Sequence, residues 1–418
     1  MKIFTIVLFL LIFNIFHSSS EFTELKEIKR IVLEETPDVI INNINGVSFN
    51  SDSSLFIVSD YYTGNVVPIY DNNGKLIKHY KPNIYLTDTV IKKGKYTDSN
   101  YVIATLDMVY MNSDYQVDSI DYISNIINTY NYSLFFDDTT IYILAKIRAY
   151  VINKEELNRP KKNIIIAQFP AFIKINIKTD DINVFLIDKH QLFWCQTFGF
   201  FYYKENNLFL CCTQTNIDLL KSNMRKYCIS GFDLNGHFVN DFYELPEEYI
   251  KSGLNYSIAS NSDIIKNKNN ELIGIFPYSE RIHNFSNNSS ININDLPKTN
   301  NDVFNKFIKK ELRIENLKDS LLFYFPNRIS NIELLKNGNY LVTIFCHYWK
   351  IPEDYVQNGY NIVREYTPEG KLINDIKIKA VNDDGVIKYI TYTSKEDALM
   401  VFRFSDEKGW TVIYSKFE

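Results

Sequence analysis

Three octapeptides in this chain share one pattern: Tyr70-Asp-Asn-Asn-Gly-Lys-Leu-Ile77, Phe232-Asp-Leu-Asn-Gly-His-Phe-Val239 and Tyr366-Thr-Pro-Glu-Gly-Lys-Leu-Ile373. Each holds an aromatic residue, a four-residue turn ending in Gly, a basic or imidazole residue and two apolar positions. Glycine falls where a hairpin bulge or left-handed residue is required. The separations fit several units of roughly 55 to 65 residues, the period of a propeller blade carrying loop insertions.

The first copy sits in a meander from Asn45 to Pro82. The polar turn Asn50-Ser-Asp-Ser-Ser54 feeds the apolar run Leu55-Phe-Ile-Val58, and Val66-Val-Pro-Ile-Tyr70 leads into the octapeptide. Runs of this kind return at Phe135–Leu144, Phe200–Cys211, Asp263–Ile275, Ile329–Thr343 and Ile387–Val401. First-hairpin turns fall near Ser54, Asn100, Thr139, Asn206, Asn270, Gly338 and Glu396, which is seven signals. If the signal at Asn100 or Glu396 is only a partial blade, the count is six, and six is favoured. The last unit lacks an outer strand, and Phe22–Glu35 could supply it. One meander cannot bury both its faces, so the copies must stack. The expected fold is all-β: a β-propeller of four-stranded blades. Besides an insertion near Ile217, two stretches interrupt it. One is the charged stretch Asn153–Lys162. The other is a loop at Asn284–Asn301 followed by a short helix near 302–317, with Phe304, Phe307, Ile308, Leu312 and Ile314 at helical spacing.

The octapeptide, preceded by Leu55-Phe-Ile-Val-Ser-Asp60, resembles NHL-type propeller repeats. Over most of residues 40–418 the pattern is similar to exported bacterial six-bladed β-propeller proteins. The resemblance implies a ring with a central channel and a face that binds a ligand or protein. It implies no catalytic residue.

The N-terminus reads as a secretory signal. Met1-Lys2 is basic, Ile3–Phe16 is almost wholly apolar, and His17-Ser-Ser-Ser20 offers small residues for cleavage after Ser20. An uncleaved anchor is the alternative. The expected organisation is a signal peptide at 1–20 and one propeller domain at 21–418, periplasmic or secreted. No later stretch is apolar enough to span a membrane, and a monomer is expected. The formal net charge of −5 supplies no basic field for nucleic acid.

Chemistry-bearing motifs are scarce. There is no phosphate loop, zinc-type His/Cys spacing, nucleophile elbow or EF-hand loop. The Asp137-Asp138, Asp180-Asp181 and Asp383-Asp384 pairs fall in expected turns, where Asx side chains bond the backbone; Ca²⁺ binding is the alternative, and no cofactor is expected. Asp60, Asn207 and Asn331 are candidates for polar groups that a channel metal would need. His79 and His237 read as strand residues. Among five cysteines, Cys195, Cys211, Cys212 and Cys228 cluster in sequence. Buried thiols are expected, with Cys195–Cys211 or Cys212–Cys228 as conceivable bridges. The unusual cluster Cys346-His347-Tyr348-Trp349 makes His347, Tyr348 and Trp349, with Trp194, the candidate binding residues. The expected function is a non-catalytic binding scaffold for a protein, peptide or glycan. A metal-dependent enzyme resembling the gluconolactonase-like group and a structural envelope component are the alternatives.

Overall fold

The structure, a computed structural model, describes residues 25–60, 66–81, 101–103, 129–153, 155, 158, 164–187, 200–212, 227–244, 263–276, 279, 281–293, 328–345 and 359–416. Strand β1 (Lys26–Val32) comes first but belongs to the last blade. The first blade is β2 (Ile44–Phe49), β3 (Leu55–Asp60), β4 (Val67–Asp71) and β5 (Leu76–Tyr80). The second holds β6 (Tyr101–Ile103), β7 (Thr129–Phe135), β8 (Thr140–Asn153), β9 (Ile164–Asn176) and β10 (Ile182–Leu186). The third is β11 (Phe200–Tyr203), β12 (Leu208–Cys212), β13 (Tyr227–Phe232) and β14 (Phe238–Glu244). The fourth is β15 (Asp263–Lys266), β16 (Leu272–Ile275), β17 (Arg281–Asn284) and β18 (Ser289–Asn292). The fifth is β19 (Arg328–Leu334), β20 (Tyr340–Phe345), β21 (Tyr360–Tyr366) and β22 (Leu372–Lys379). The sixth is β23 (Val381–Asn382), β24 (Gly385–Thr393), β25 (Ala398–Ser405) and β26 (Gly409–Lys416), with β1 paired outside β26.

Side chains alternate across a strand, so a strand packed on both faces must be apolar throughout. That explains the unbroken apolar runs. In β3, Phe56 and Val58 face the sixth blade while Ile57 faces the second. In β12, Phe209 and Cys211 join the second blade and Leu210 the fourth. In β20, Tyr340 and Val342 meet the fourth blade and Leu341 the sixth. Six apolar clusters result, one at each junction from first–second round to sixth–first. The sheets therefore close a ring. The chain is a six-bladed β-propeller.

The three octapeptides form the outer hairpins of the first, third and fifth blades. Their aromatics Tyr70, Phe232 and Tyr366 are buried at the junctions. Asp71 Oδ1 accepts the N–H groups of Asn73 (2.8 Å) and Lys75 (3.0 Å). Asp233 Oδ1 does the same for Asn235 (2.8 Å) and His237 (2.9 Å). Thr367 Oγ1 takes this place in the third copy, at 3.3 Å from both Glu369 N and Lys371 N. The turn glycine is fixed twice over. Gly236 has φ +84°, and a Cβ there would lie 2.7 Å from the carbonyl oxygen of Leu186 in the preceding blade.

The ring is closed by mixing the chain's two ends, as the expected role of Phe22–Glu35 required. Beyond the β1–β26 ladder, Arg30 reaches Asp384 (2.5 Å), which Lys408 also contacts (3.2 Å), and Trp410 Nε1 donates to Ile41 O (2.8 Å). The signal near Asn100 is not a separate blade: β6 adds to the far end of the long β8, at Val151–Asn153. One expectation is corrected. Asn284–Asn292 is not loop; it forms the outer β17–β18 hairpin of the fourth blade, because Asn284 and Asn287 side chains bond the N–H groups of Ser286 and Ser289 and tighten the turn. The helix expected near 302–317 lies outside the described residues, as do residues 1–20.

Candidate functional site

In an antiparallel meander, the first and third turns lie at one end of the sheet and the second turn and the inter-blade crossing at the other. Here the first kind are uniformly short. The turns at 50–54, 136–139, 204–207, 267–271, 335–339 and 394–397, and the outer ones at 72–75, 177–181, 233–237, 285–288 and 367–371, have four or five residues each. All the long connections, including 81–128, 154–163, 213–226, 245–262, 293–327 and 346–359, join strand ends at the opposite end.

The short-turn end is a collar of mutual contacts. Ser51 N and Oγ donate to Asp138 (3.0 and 2.5 Å) between the first and second blades. Phe136 packs on Tyr202 (4.5 Å between centroids) between the second and third. Lys266 pairs with Glu205, Lys268 Nζ donates to Lys336 O (2.7 Å), and Lys336 N donates to Tyr392 Oη (3.3 Å), carrying the collar to the sixth blade. Lys395 attracts Asp52 across the closure. The Asp137-Asp138 and Asp180-Asp181 pairs thus serve turns and seams: Asp180 ties to Lys78 and to Tyr80 Oη (2.8 Å).

The sequence candidates fall in three places. His347, Tyr348, Trp349 and Trp194 lie outside the described residues; the first three follow the end of β20 in the connection 346–359. Asp60, Asn207 and Asn331 do not come together. Asp60 ends β3 and accepts from Asn42 N (2.7 Å), Asn207 is exposed in the left-handed turn position of the third blade, and Asn331 is buried in β19. His79 is exposed on β5, and His237 Nδ1 lies 2.9 Å from Asp233 in its turn. Cys195 lies outside the described residues, and Cys211 is buried. Its side chain points into the second–third blade core, where phenylalanines surround it. Among the described residues no group of three or more His, Cys, Asp and Glu is placed to hold a metal, and no helix is long and apolar enough to cross a membrane.

The strand that starts the main meander lies toward the centre in the blades whose contacts show it: β24 approaches β2, β2 approaches β7, and β15 and β24 approach β19. Apart from the short β23 beside Gly385 and Val386 of β24, their inner edges carry N–H and C=O groups with no strand beside them among the described residues, which must be satisfied otherwise. Side chains of neighbouring blades do this. Ser59 Oγ accepts Ser133 N (2.9 Å), Ser48 Oγ accepts Phe135 N (3.0 Å), and Asn331 Nδ2 donates to Ile390 O (3.0 Å).

Two carboxyls join this lining, and no sequence feature singled them out. Asp263 Oδ2 accepts Ile332 N and its Oδ1 accepts Ile264 N, both at 3.0 Å. Glu333 Oε1 accepts from Thr391 Oγ1 (2.5 Å) and lies 3.4 Å from Asn331 Nδ2. Both keep some solvent contact along the channel, yet protein encloses them. Burial pushes the Asp263 carboxyl up to about 6 against its backbone hydrogen bonds. Burial, opposed by the Thr391 hydroxyl and aided by the Asp263 charge, pushes Glu333 up to about 7. Burial and the same two carboxylates hold the Tyr389 phenol well above its ordinary value. Burial thus favours the protonated form of both carboxyls, and the Asp263 charge favours it further at Glu333. The only trace in sequence is a carboxylate set among apolar strand residues, as in Asn331-Ile-Glu333.

No protein-family model matches the chain, and no curated protein matches its sequence. Solved structures resemble it in shape. A Bacteroides fragilis protein described as exported is 10% identical, with a TM-score of 0.48 over 95% of this chain and 98% of that one. A chain of the mitotic checkpoint complex is 7% identical, TM-score 0.41, over 95% and 97%. The Dos1 propeller is 10% identical, TM-score 0.37, over 90% and 79%. Such distant likenesses say nothing about what this ring binds.

Proposed function

We propose that the chain is an exported β-propeller that recognises a protein, peptide or glycan with the connection-bearing end of its ring. One observation carries the reading: every long connection leaves from the same end, while the other end is spent on a collar of short turns. A scaffold that holds variable segments on a rigid ring is the usual arrangement for recognition. His347, Tyr348 and Trp349, in the connection 346–359, and Trp194, in 187–199, belong to segments that leave from this end. Their aromatic rings suit stacking on sugar or peptide faces.

The test is to replace 213–226 and 346–359 separately by short Gly-Ser linkers, and to screen each protein on a glycan array and a displayed peptide library. Saturable binding by the parent chain should vanish in at least one replacement and persist in Lys268→Ala, which touches only the collar. A parent chain without a saturable ligand in either screen, or binding lost only on changing the collar, would refute the assignment.

A further inference from the structure

Two buried oxygens between the fifth and sixth blades have no hydrogen-bond partner: Asn331 Oδ1 and Thr343 Oγ1. Their residues are 3% and 1% exposed. They stand opposite each other in the β19–β20 register, so both side chains leave one face of the fifth blade. It is the face on which Leu341 packs against Ile387 and Ile390 of the sixth. Glu333 leaves β19 on this same face, two residues on, with Oε1 3.4 Å from the Asn331 amide nitrogen. Asp263 reaches the strand's free edge from the fourth blade through Ile332 N.

This face of β19 and β20 presents a carboxylate, an amide carbonyl and a hydroxyl, with the Asn331 amide nitrogen and the Thr391 hydroxyl donating to Glu333, and a second carboxylate, Asp263, stands at the edge of β19. Among the described residues, no Lys or Arg acts on either carboxyl. Buried polar atoms without a partner are rare in folded proteins and mark places for ordered water or an ion. Water would satisfy the two orphan oxygens but would supply no positive charge to offset the two carboxylates when they are ionised. A hard cation satisfies all four, since Ca²⁺ accepts carboxylate, amide carbonyl, hydroxyl and water oxygens together in irregular geometry. Mg²⁺ asks for a more regular octahedron and keeps its own waters.

We propose that the seam between β19, β20 and β24 binds one hard divalent cation of the Ca²⁺ class, ligated by Glu333 and Asn331 Oδ1, with Thr343 Oγ1 and Asp263 completing the protein's share. Its role is to tie the fourth, fifth and sixth blades at the channel wall. This site is independent of whatever the connection-bearing end recognises.

The mature chain, stripped with chelator and dialysed, should be titrated with CaCl₂ and separately with MgCl₂ by calorimetry, with thermal melts alongside. One Ca²⁺ per chain should bind and raise the melting temperature, because the cation binds only the folded ring; Mg²⁺ should bind more weakly. Glu333→Gln should weaken Ca²⁺ binding about tenfold or more while melting no lower than the stripped parent. Thr343→Val, which keeps both carboxylates and removes one orphan oxygen, should weaken it several-fold. No Ca²⁺-dependent heat or melt shift at millimolar concentration, the result a water-only seam gives, overturns the proposal. So does a Ca²⁺ affinity that Thr343→Val leaves unchanged, and this second variant decides the matter even if Glu333→Gln does not fold.

Discussion

Asp263 in the fourth blade accepts a 3.0 Å hydrogen bond from the backbone N–H of Ile332 in the fifth, and by doing so places a carboxyl beside Glu333. The bond solves a problem every propeller has, an inner strand with an unpaired edge. Its side effect is a second acid in a channel that already encloses one.

That pair predicts an unusual pH dependence for the metal-free protein. The folded state raises Asp263 from 3.8 to about 6 and Glu333 from 4.5 to about 7, so it holds these protons more tightly than the unfolded chain does. Their contribution is fully present below the unfolded values and is lost as pH rises through 6 to 7. Carboxylates held below their ordinary range by hydrogen bonds, such as Asp180 to Lys78 and Tyr80, are already ionised above pH 5 and do not oppose this trend. At about 1.4 kcal/mol per unit, reduced for channel solvent and coupling, the ring should be ~2–4 kcal/mol less stable at pH 8 than at pH 5. Urea midpoints at the two pH values check it, and Glu333→Gln should shrink the difference by about half. An undiminished difference in that variant would place its origin elsewhere.

Gly236→Ala should destabilise by about 2–4 kcal/mol. The new methyl must occupy a backbone at φ +84° and approach Leu186 O to 2.7 Å. Its neighbour Asn235, exposed in the same turn, uses only its backbone N–H, so Asn235→Ala should cost little. Denaturant midpoints of the two variants should separate clearly.

Asp71→Ala removes the acceptor that holds two backbone N–H groups of the first-blade turn. A loss of about 1–2 kcal/mol is expected, with Asp71→Asn recovering most of it because an amide oxygen can accept the same bonds. Equal losses in both variants would assign the effect to charge rather than to turn geometry.

The seam where the chain's ends meet should be the ring's weak point. Deleting residues up to Leu33 removes β1 and bares the outer edge of β26. The shortened protein should self-associate on size-exclusion chromatography. Trp410→Phe, which leaves Ile41 O without its 2.8 Å donor, should cost about 1–3 kcal/mol and keep the ring monodisperse.

Much of this architecture was legible because the relevant signals are local. Asp71, Gly74 and Tyr70 announce a capped, bulged hairpin whatever surrounds them, and an apolar run such as Leu55–Val58 announces a strand buried on both faces. These short-range rules, repeated along the chain, were enough for blades, for their stacking and for closure by Phe22–Glu35. They misled at Asn284–Asn292, where Asn and Ser density suggested loop although the same side chains also build tight hairpin turns, and at Asn100, whose turn signal belongs to an added strand.

The channel was a different matter. Asp263 and Glu333 are 70 positions apart, and neither has a sequence neighbour that marks it as special. Their altered acidity comes from burial and from each other, both of which exist only once the fourth, fifth and sixth blades meet. The same holds for Asn331 and Thr343, whose shared face is a matter of strand register, and for the segregation of long connections to one end. Sequence determined the repeating unit because turns and strand periodicity are set by a few adjacent residues. The closed ring decided which side chains face the centre, because convergence of distant residues is a property of how the blades pack and not of any one of them.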